Sequence, residues 1–149
     1  MKRSLFFICA LLILVGCEKE IPKHISDGTY IGTFQRQIVW IESDTAHITL
    51  TFNGNQWSGS GNIEKYPALC HGTYSISGDT IIFENECTWT ADFDWTLILA
   101  GKYLLTKSGN TVEFSRDNRS ASSDTYIDKY KLTKISDLKS LLSGKPEYL

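Results

Sequence analysis

The chain has 149 residues, 15 basic against 17 acidic, and a formal net charge of −2. That balance argues against a nucleic-acid reader, whose affinity rests on a surplus of Lys and Arg at phosphates. Once the leader carrying Lys2 and Arg3 is set aside, 13 basic residues face 17 acidic ones, a net −4, which also leaves no basic patch for a membrane surface.

Residues 1–16, MKRSLFFICALLILVG, place two cations ahead of an apolar run from Leu5 to Val15, the pattern of a secretory signal. The run falls short of the roughly 20 apolar residues a spanning helix needs. Leu14-Val15-Gly16-Cys17 resembles the lipobox of bacterial lipoproteins. The resemblance implies that Cys17 is acylated and becomes the new N-terminus, with the mature protein held at a bacterial membrane, the outer membrane being the expected one. Two or more acyl chains, at about 0.8 kcal/mol per buried methylene, suffice for stable anchoring. Residues 17–27 then read as the lipidated cysteine and a polar tether containing Pro22, and residues 28–149 as one domain.

From Gly28 onward the chain alternates in short β-type runs separated by turn residues. The expected strands are 28–36, 45–53, 56–62, 71–77, 80–86, 95–107, 110–116 and 125–134. Eight strands in a meander without helical crossovers most naturally close into an antiparallel up-and-down barrel, an all-β fold without free edges; a two-sheet sandwich is the alternative. Near the C-terminus, Ser136 is placed to cap a short helix with Leu138, Leu141 and Leu142 on one stripe, stopped by Gly144 and Pro146. This helix is expected to plug one end of the barrel.

The segment C70HGTYSISGDTIIFENEC87 fixes a register. If Gly78-Asp79 is a two-residue hairpin loop opening with glycine, residues pair whenever their numbers add to 157. Tyr74 then faces Phe83, and Cys70 faces Cys87 at a non-hydrogen-bonded site with Cα atoms about 4.5 Å apart. With Cys9 lost in the signal and Cys17 lipidated, these two form an intramolecular disulfide in a compartment that tolerates one. The same grammar recurs at 101–114, where Ser-Gly-Asn-Thr replaces Ser-Gly-Asp-Thr, and a third tight turn lies at 53–55.

Alternation turns Tyr30, Phe34, Leu50, Phe52, Trp57, Tyr74, Phe83, Tyr103, Phe114, Tyr130 and Leu132 inward, with Gly32, Gly59, Gly61, Gly72 and Gly101 among them. An eight-stranded barrel is wide enough either to be filled by side chains or to hold one small ligand. The glycines leave both readings open, since they subtract volume or make room for rings and strand coiling.

The three tight turns fall at one end of such a barrel. The long connections at 36–44, 63–70, 87–94 and 117–124 fall at the other, which is the expected functional end. Trp40 lies in the first of these loops, Trp89 and Phe93 in the third, and Trp95 directly follows it. Aromatics of this kind serve as anchors in interfaces and pockets, or fold inward as a lid.

The lipobox, the Gly28-x-Tyr30 opening, the repeated Gly-x-Tyr and Ser-Gly-Asp/Asn-Thr-x-x-Phe hairpins and the closing Tyr130-Lys131-Leu132 resemble the lipocalin-like lipoproteins of bacteria. Tyr30 stands where lipocalins proper carry Trp. The aromatic interior, the abundant glycine and the loop aromatics lead to the expectation of a lipid-anchored, lipocalin-like barrel that binds a small apolar or amphipathic ligand at its long-loop end, using Trp40, Trp57, Tyr74, Trp89, Phe93, Trp95, Tyr103 and Arg116. A protein-binding accessory or inhibitor module using the same loops is the alternative. Arg116 either resembles the arginine that packs near the first-strand aromatic in lipocalins or pairs with Asp128, also expected inward.

Chemistry is sparsely signalled. His24, His47 and His71 form no close metal-binding motif, and the serines sit in turn sequences rather than in a nucleophile elbow. Asp92 and Asp94 read as solvated loop charge. No enzyme activity, cofactor or metal is expected.

Overall fold

The computed structural model describes residues 24–38, 41, 43–120 and 126–135. Eight strands follow one another: β1 (Gly28–Ile38), β2 (Thr45–Asn53), β3 (Gln56–Gly61), β4 (His71–Ser77), β5 (Thr80–Asn85), β6 (Gly101–Ser108), β7 (Thr111–Asp117) and β8 (Tyr126–Lys134). Each pairs antiparallel with its neighbour, and β8 pairs back to β1 from Tyr30↔Lys134 to Ile38↔Tyr126, so the barrel closes in chain order. Closure leaves no sheet edge, which decides between barrel and sandwich.

The hairpin register matches the sum of 157. Ser77 pairs with Thr80, Ile76 with Ile81, Tyr74 with Phe83 and Gly72 with Asn85. Gly78 opens its loop at φ +59°, a conformation glycine adopts without steric cost, and Gly54 and Gly109 open theirs in the same way. The ladder ends before the cysteines, however. Cys70 and Cys87 form a disulfide with Cα atoms 6.4 Å apart, wider than the ladder spacing expected. One further bond, from the Glu86 N–H to the His71 carbonyl at 3.0 Å, continues the register past Asn85, and the Asn85 side chain accepts hydrogen bonds from the Cys87 N–H at 3.0 Å and from the Trp89 indole at 2.8 Å beyond it.

A second difference lies before β6, whose strand begins at Gly101 rather than at residue 95. Trp95–Leu97 form one 3₁₀ turn, capped by Asp94 accepting from the Thr96 N–H, and Ile98 then makes a parallel bridge to Ala68. The Trp95, Leu97, Leu99 alternation mimics a strand, but the Asp-x-Thr cap prevails.

The lumen is filled by rings. Phe83 sits among Trp57, Tyr74, Tyr103 and Phe114 at centroid distances of 5.0–6.2 Å. Phe114 stacks on Tyr130 at 4.5 Å, and Phe34 lies 4.7 Å from Tyr130 on its other flank. The glycines serve close approach rather than an empty space. A Cβ on Gly32 would lie 1.8 Å from the Lys131 carbonyl oxygen, and one on Gly72 would lie 1.9 Å from that of Glu84.

The short-turn end is closed by residues expected in the tether. Ile25 is buried in the core. Its N–H donates to the Tyr74 hydroxyl, which in turn donates to the Gly54 carbonyl at 2.8 Å, while Asp27 accepts from the Gly54 N–H. The expected C-terminal helix lies outside the described residues.

Candidate functional site

At the long-loop end the barrel is sealed by charge. Arg36 on β1 and Asp128 on β8 are paired in the register, and both point inward and are buried. The pair is bidentate, with Nε to Oδ1 at 2.7 Å and Nη2 to Oδ2 at 3.0 Å. Arg116 on β7 reaches the same carboxylate at 3.3 Å. Its guanidinium also donates to the carbonyls of Ala100 and Thr96 and lies over the Tyr103 ring at 4.9 Å. Arg116 thus pairs with Asp128, one of the two roles open to it.

The loop between β5 and β6 is tied to this pair. Arg36 Nη1 donates to Asp94 Oδ2 and to the Thr96 hydroxyl, each at 2.9 Å, and Nη2 donates to the Thr96 carbonyl. The guanidinium lies 3.9 Å over the Tyr126 ring. Burial alone would lower the Arg36 pKa, but the Asp128 carboxylate, with Tyr126 and Asp94, holds it raised. Burial would raise Asp94, yet the Thr96 donors and Arg36 keep it below the ordinary carboxylate range. Asp94 is therefore an ion-pair partner, not merely solvated charge. Asp92 likewise has a partner in Lys65, at 3.1 Å.

The residues expected to recognise a ligand do not converge. Trp57, Tyr74 and Tyr103 are core rings. The Trp57 indole donates to the carbonyls of Thr73 and Glu84, and Tyr74 braces the opposite, short-turn end. Burial pushes the Tyr103 phenol up to about 12 and that of Tyr130 well above its ordinary value. In the β5–β6 loop, Trp89 and Phe93 are half-buried against each other at 5.5 Å, and Lys65 lies over the Phe93 ring at 5.0 Å. Trp95 is exposed, its indole donating to the Thr90 carbonyl at 2.9 Å. Trp40 lies outside the described residues, but Ile38 and Ile41 beside it are exposed. These two line a depression of about 410 Å³ with Ile127, Gln35 and Arg119 on the outer wall.

Arg36 is the buried long-loop-end residue that the alternation pattern left out. It lies two residues beyond Phe34, on the same inward face, and that spacing was the available signal.

At the rim, His71 accompanies the disulfide. Its Nδ1 lies 3.3 Å from Cys70 Sγ and 3.2 Å from Cys87 Sγ.

Comparison of the chain with protein-family models, with curated proteins and with solved structures found no match.

Proposed function

We propose that this chain is a lipid-anchored protein of the bacterial cell envelope that binds a protein partner through its long-loop end. The observation that carries the reading is where exposed apolar surface lies. Of the four large hydrophobic residues exposed among the described residues, Ile38, Ile41 and Trp95 belong to that end, and only Leu104 lies elsewhere. Exposed aromatic and aliphatic side chains on loops of a rigid scaffold are the usual anchors of an interface. A small apolar ligand inside the barrel would have to displace the protein's own rings and the Arg36–Asp128 pair. That weighs against the lumen as its site.

The lipobox supports attachment at Cys17, and the seat of Ile25 at the short-turn end supports an orientation with the long loops facing away from the membrane. The meander order and the Gly28-x-Tyr30 opening support placing the chain with the lipocalin-like lipoproteins that its motifs resemble.

Site-specific photo-crosslinking in intact cells tests the interface. Probes at Trp95 and Ile41 are expected to give a discrete adduct that a probe at Asn55, on the short-turn end, does not. Adducts of equal yield at all three sites would refute it. So would a saturable tryptophan-fluorescence response to an apolar compound with no adduct, which favours a small ligand instead.

A further inference from the structure

The Cys70–Cys87 bridge has a third member that a structural staple does not require. The Nδ1 of His71 is near both sulfurs, at 3.3 and 3.2 Å, and the ligand atoms of the three residues all lie within 4.8 Å of one another. We propose that, once the bridge is reduced, Cys70, Cys87 and His71 form a binding site for a thiophilic d¹⁰ cation, with Zn²⁺ as its representative.

The geometry suits the ion. With Zn–S at about 2.3 Å and Zn–N at about 2.0–2.1 Å, a tetrahedral centre separates a sulfur from a nitrogen ligand by about 3.5 Å and two sulfurs by about 3.8 Å. The imidazole already stands within about 0.3 Å of its required distance from each sulfur. Only the sulfurs have to part, and cleavage of their bond permits that.

The backbone under each ligand is held by hydrogen bonds that do not involve the disulfide. The Cys70 carbonyl accepts from the Gly59 N–H at 2.7 Å, the His71 carbonyl from the Glu86 N–H at 3.0 Å, and the Cys87 N–H donates to Asn85 at 3.0 Å. His71 also pairs with Ser58 in the β3–β4 ladder. A preformed frame of this kind spares a metal site the cost of ordering its ligands. His71 is exposed and both cysteines are only half-buried, so ion and reductant have access, and the fourth position is left to water.

The balance is simple. An exogenous dithiol is oxidised to its own disulfide while the Cys70–Cys87 bond takes up two electrons and two protons, giving two thiols. Zn²⁺ then displaces both thiol protons to solvent and accepts the lone pair of His71 Nδ1. The oxidised bridge offers no thiolate, so reduction switches the site on.

The test uses the exported, full-length protein in detergent micelles. It is reduced with a dithiol under anaerobic conditions, freed of reductant and titrated with Zn²⁺ against a chromophoric chelator, then with Co²⁺ to read the thiolate-to-metal charge-transfer band. One ion per reduced chain is expected, with no binding by the oxidised form. His71→Ala should weaken binding by about 10–100-fold, at least what losing a supporting partner of a metal ligand costs, and Cys70→Ser with Cys87→Ser should abolish it together with the band. Three results overturn the proposal: equal affinity in His71→Ala and wild type, equal affinity in oxidised and reduced protein, or loss of the barrel's near-UV circular dichroism on reduction before zinc is added. The last removes the frame that holds the ligands.

Discussion

Arg36 and Asp128 face each other across the β1–β8 seam, joined by two hydrogen bonds of 2.7 and 3.0 Å and buried where the barrel closes. Removing Asp128 leaves the buried Arg36 guanidinium with only the half-exposed Asp94 as a counter-charge. Asp128→Ala is therefore expected to cost about 3–5 kcal/mol. Replacing both, as Arg36→Met with Asp128→Leu, should recover most of that loss. Urea denaturation of the single and double variants decides it; a double variant no more stable than Asp128→Ala would mean that the seam needs the ions themselves.

Acid should loosen the same end. Asp94 has a folded pKa below its unfolded value of about 3.9. It therefore contributes stability above that value and loses it as pH falls through the lowered folded pKa. Asp94 is half-exposed and screened, so Asp94→Asn should cost about 1 kcal/mol or less at neutral pH. It should also flatten the dependence of stability below about pH 4. An unchanged acid limb in the variant would remove Asp94 from the account.

Alkali acts through the opposite sign. Tyr103 and Tyr130 ionise far more readily unfolded, near pH 10, than folded, where burial pushes Tyr103 to about 12 and Tyr130 well upward. Stability is full below about pH 10 and declines as pH rises toward 12. In a spectrophotometric titration two phenols should stay protonated until the barrel unfolds. Early, fully reversible ionisation of every tyrosine would contradict the packed lumen.

The disulfide closes a loop with a sequence separation of 17. Cys70→Ser with Cys87→Ser should lower stability by about 2–4 kcal/mol, less where the hairpin already holds its ends together. Hydrogen exchange should show the 62–70 and 86–100 loops loosened, with the turns at Gly54, Gly78 and Gly109 still protected. Uniform loss of protection would show that the bridge braces the whole barrel.

Gly32→Ala should be far more damaging than an ordinary strand substitution. Its Cβ would meet the β8 backbone, which cannot swing aside as a flexible side chain does. A cost of about 3 kcal/mol, at the upper end for overpacking, is expected. Thermal denaturation of this variant beside Gly61→Ala, whose nearest neighbour is 3.4 Å away, isolates the effect.

Which of these features could be read from sequence depended on how far the deciding interaction lay along the chain. The 70–87 hairpin was legible because a Gly-Asp loop and period-two alternation are local, and Tyr74, Phe83, Tyr103 and Phe114 fell inward as the pattern requires. Arg36 was obscured because a charged residue ends an apolar alternation, and its partners lie 58 and 92 positions away. Ile25 was hidden by its polar neighbours, although its position just before β1 puts it over the open end. The spacing of the cysteines was not legible because they lie just beyond the last ladder pair, Gly72 with Asn85, where the ideal strand geometry no longer applies.

The Ile25 strap also sets how far the protein reaches. If Cys17 carries lipid, eight peptide steps lead from the anchor to the first residue seated in the barrel, and at about 3.4 Å each they span at most about 27 Å. A strand such as β6, with 8 residues, rises about 20 Å along the barrel axis at the usual tilt. On the proposed reading, the long-loop end would then lie within roughly 50 Å of the lipid surface, a mooring short enough to favour membrane-proximal partners over those diffusing freely in the compartment.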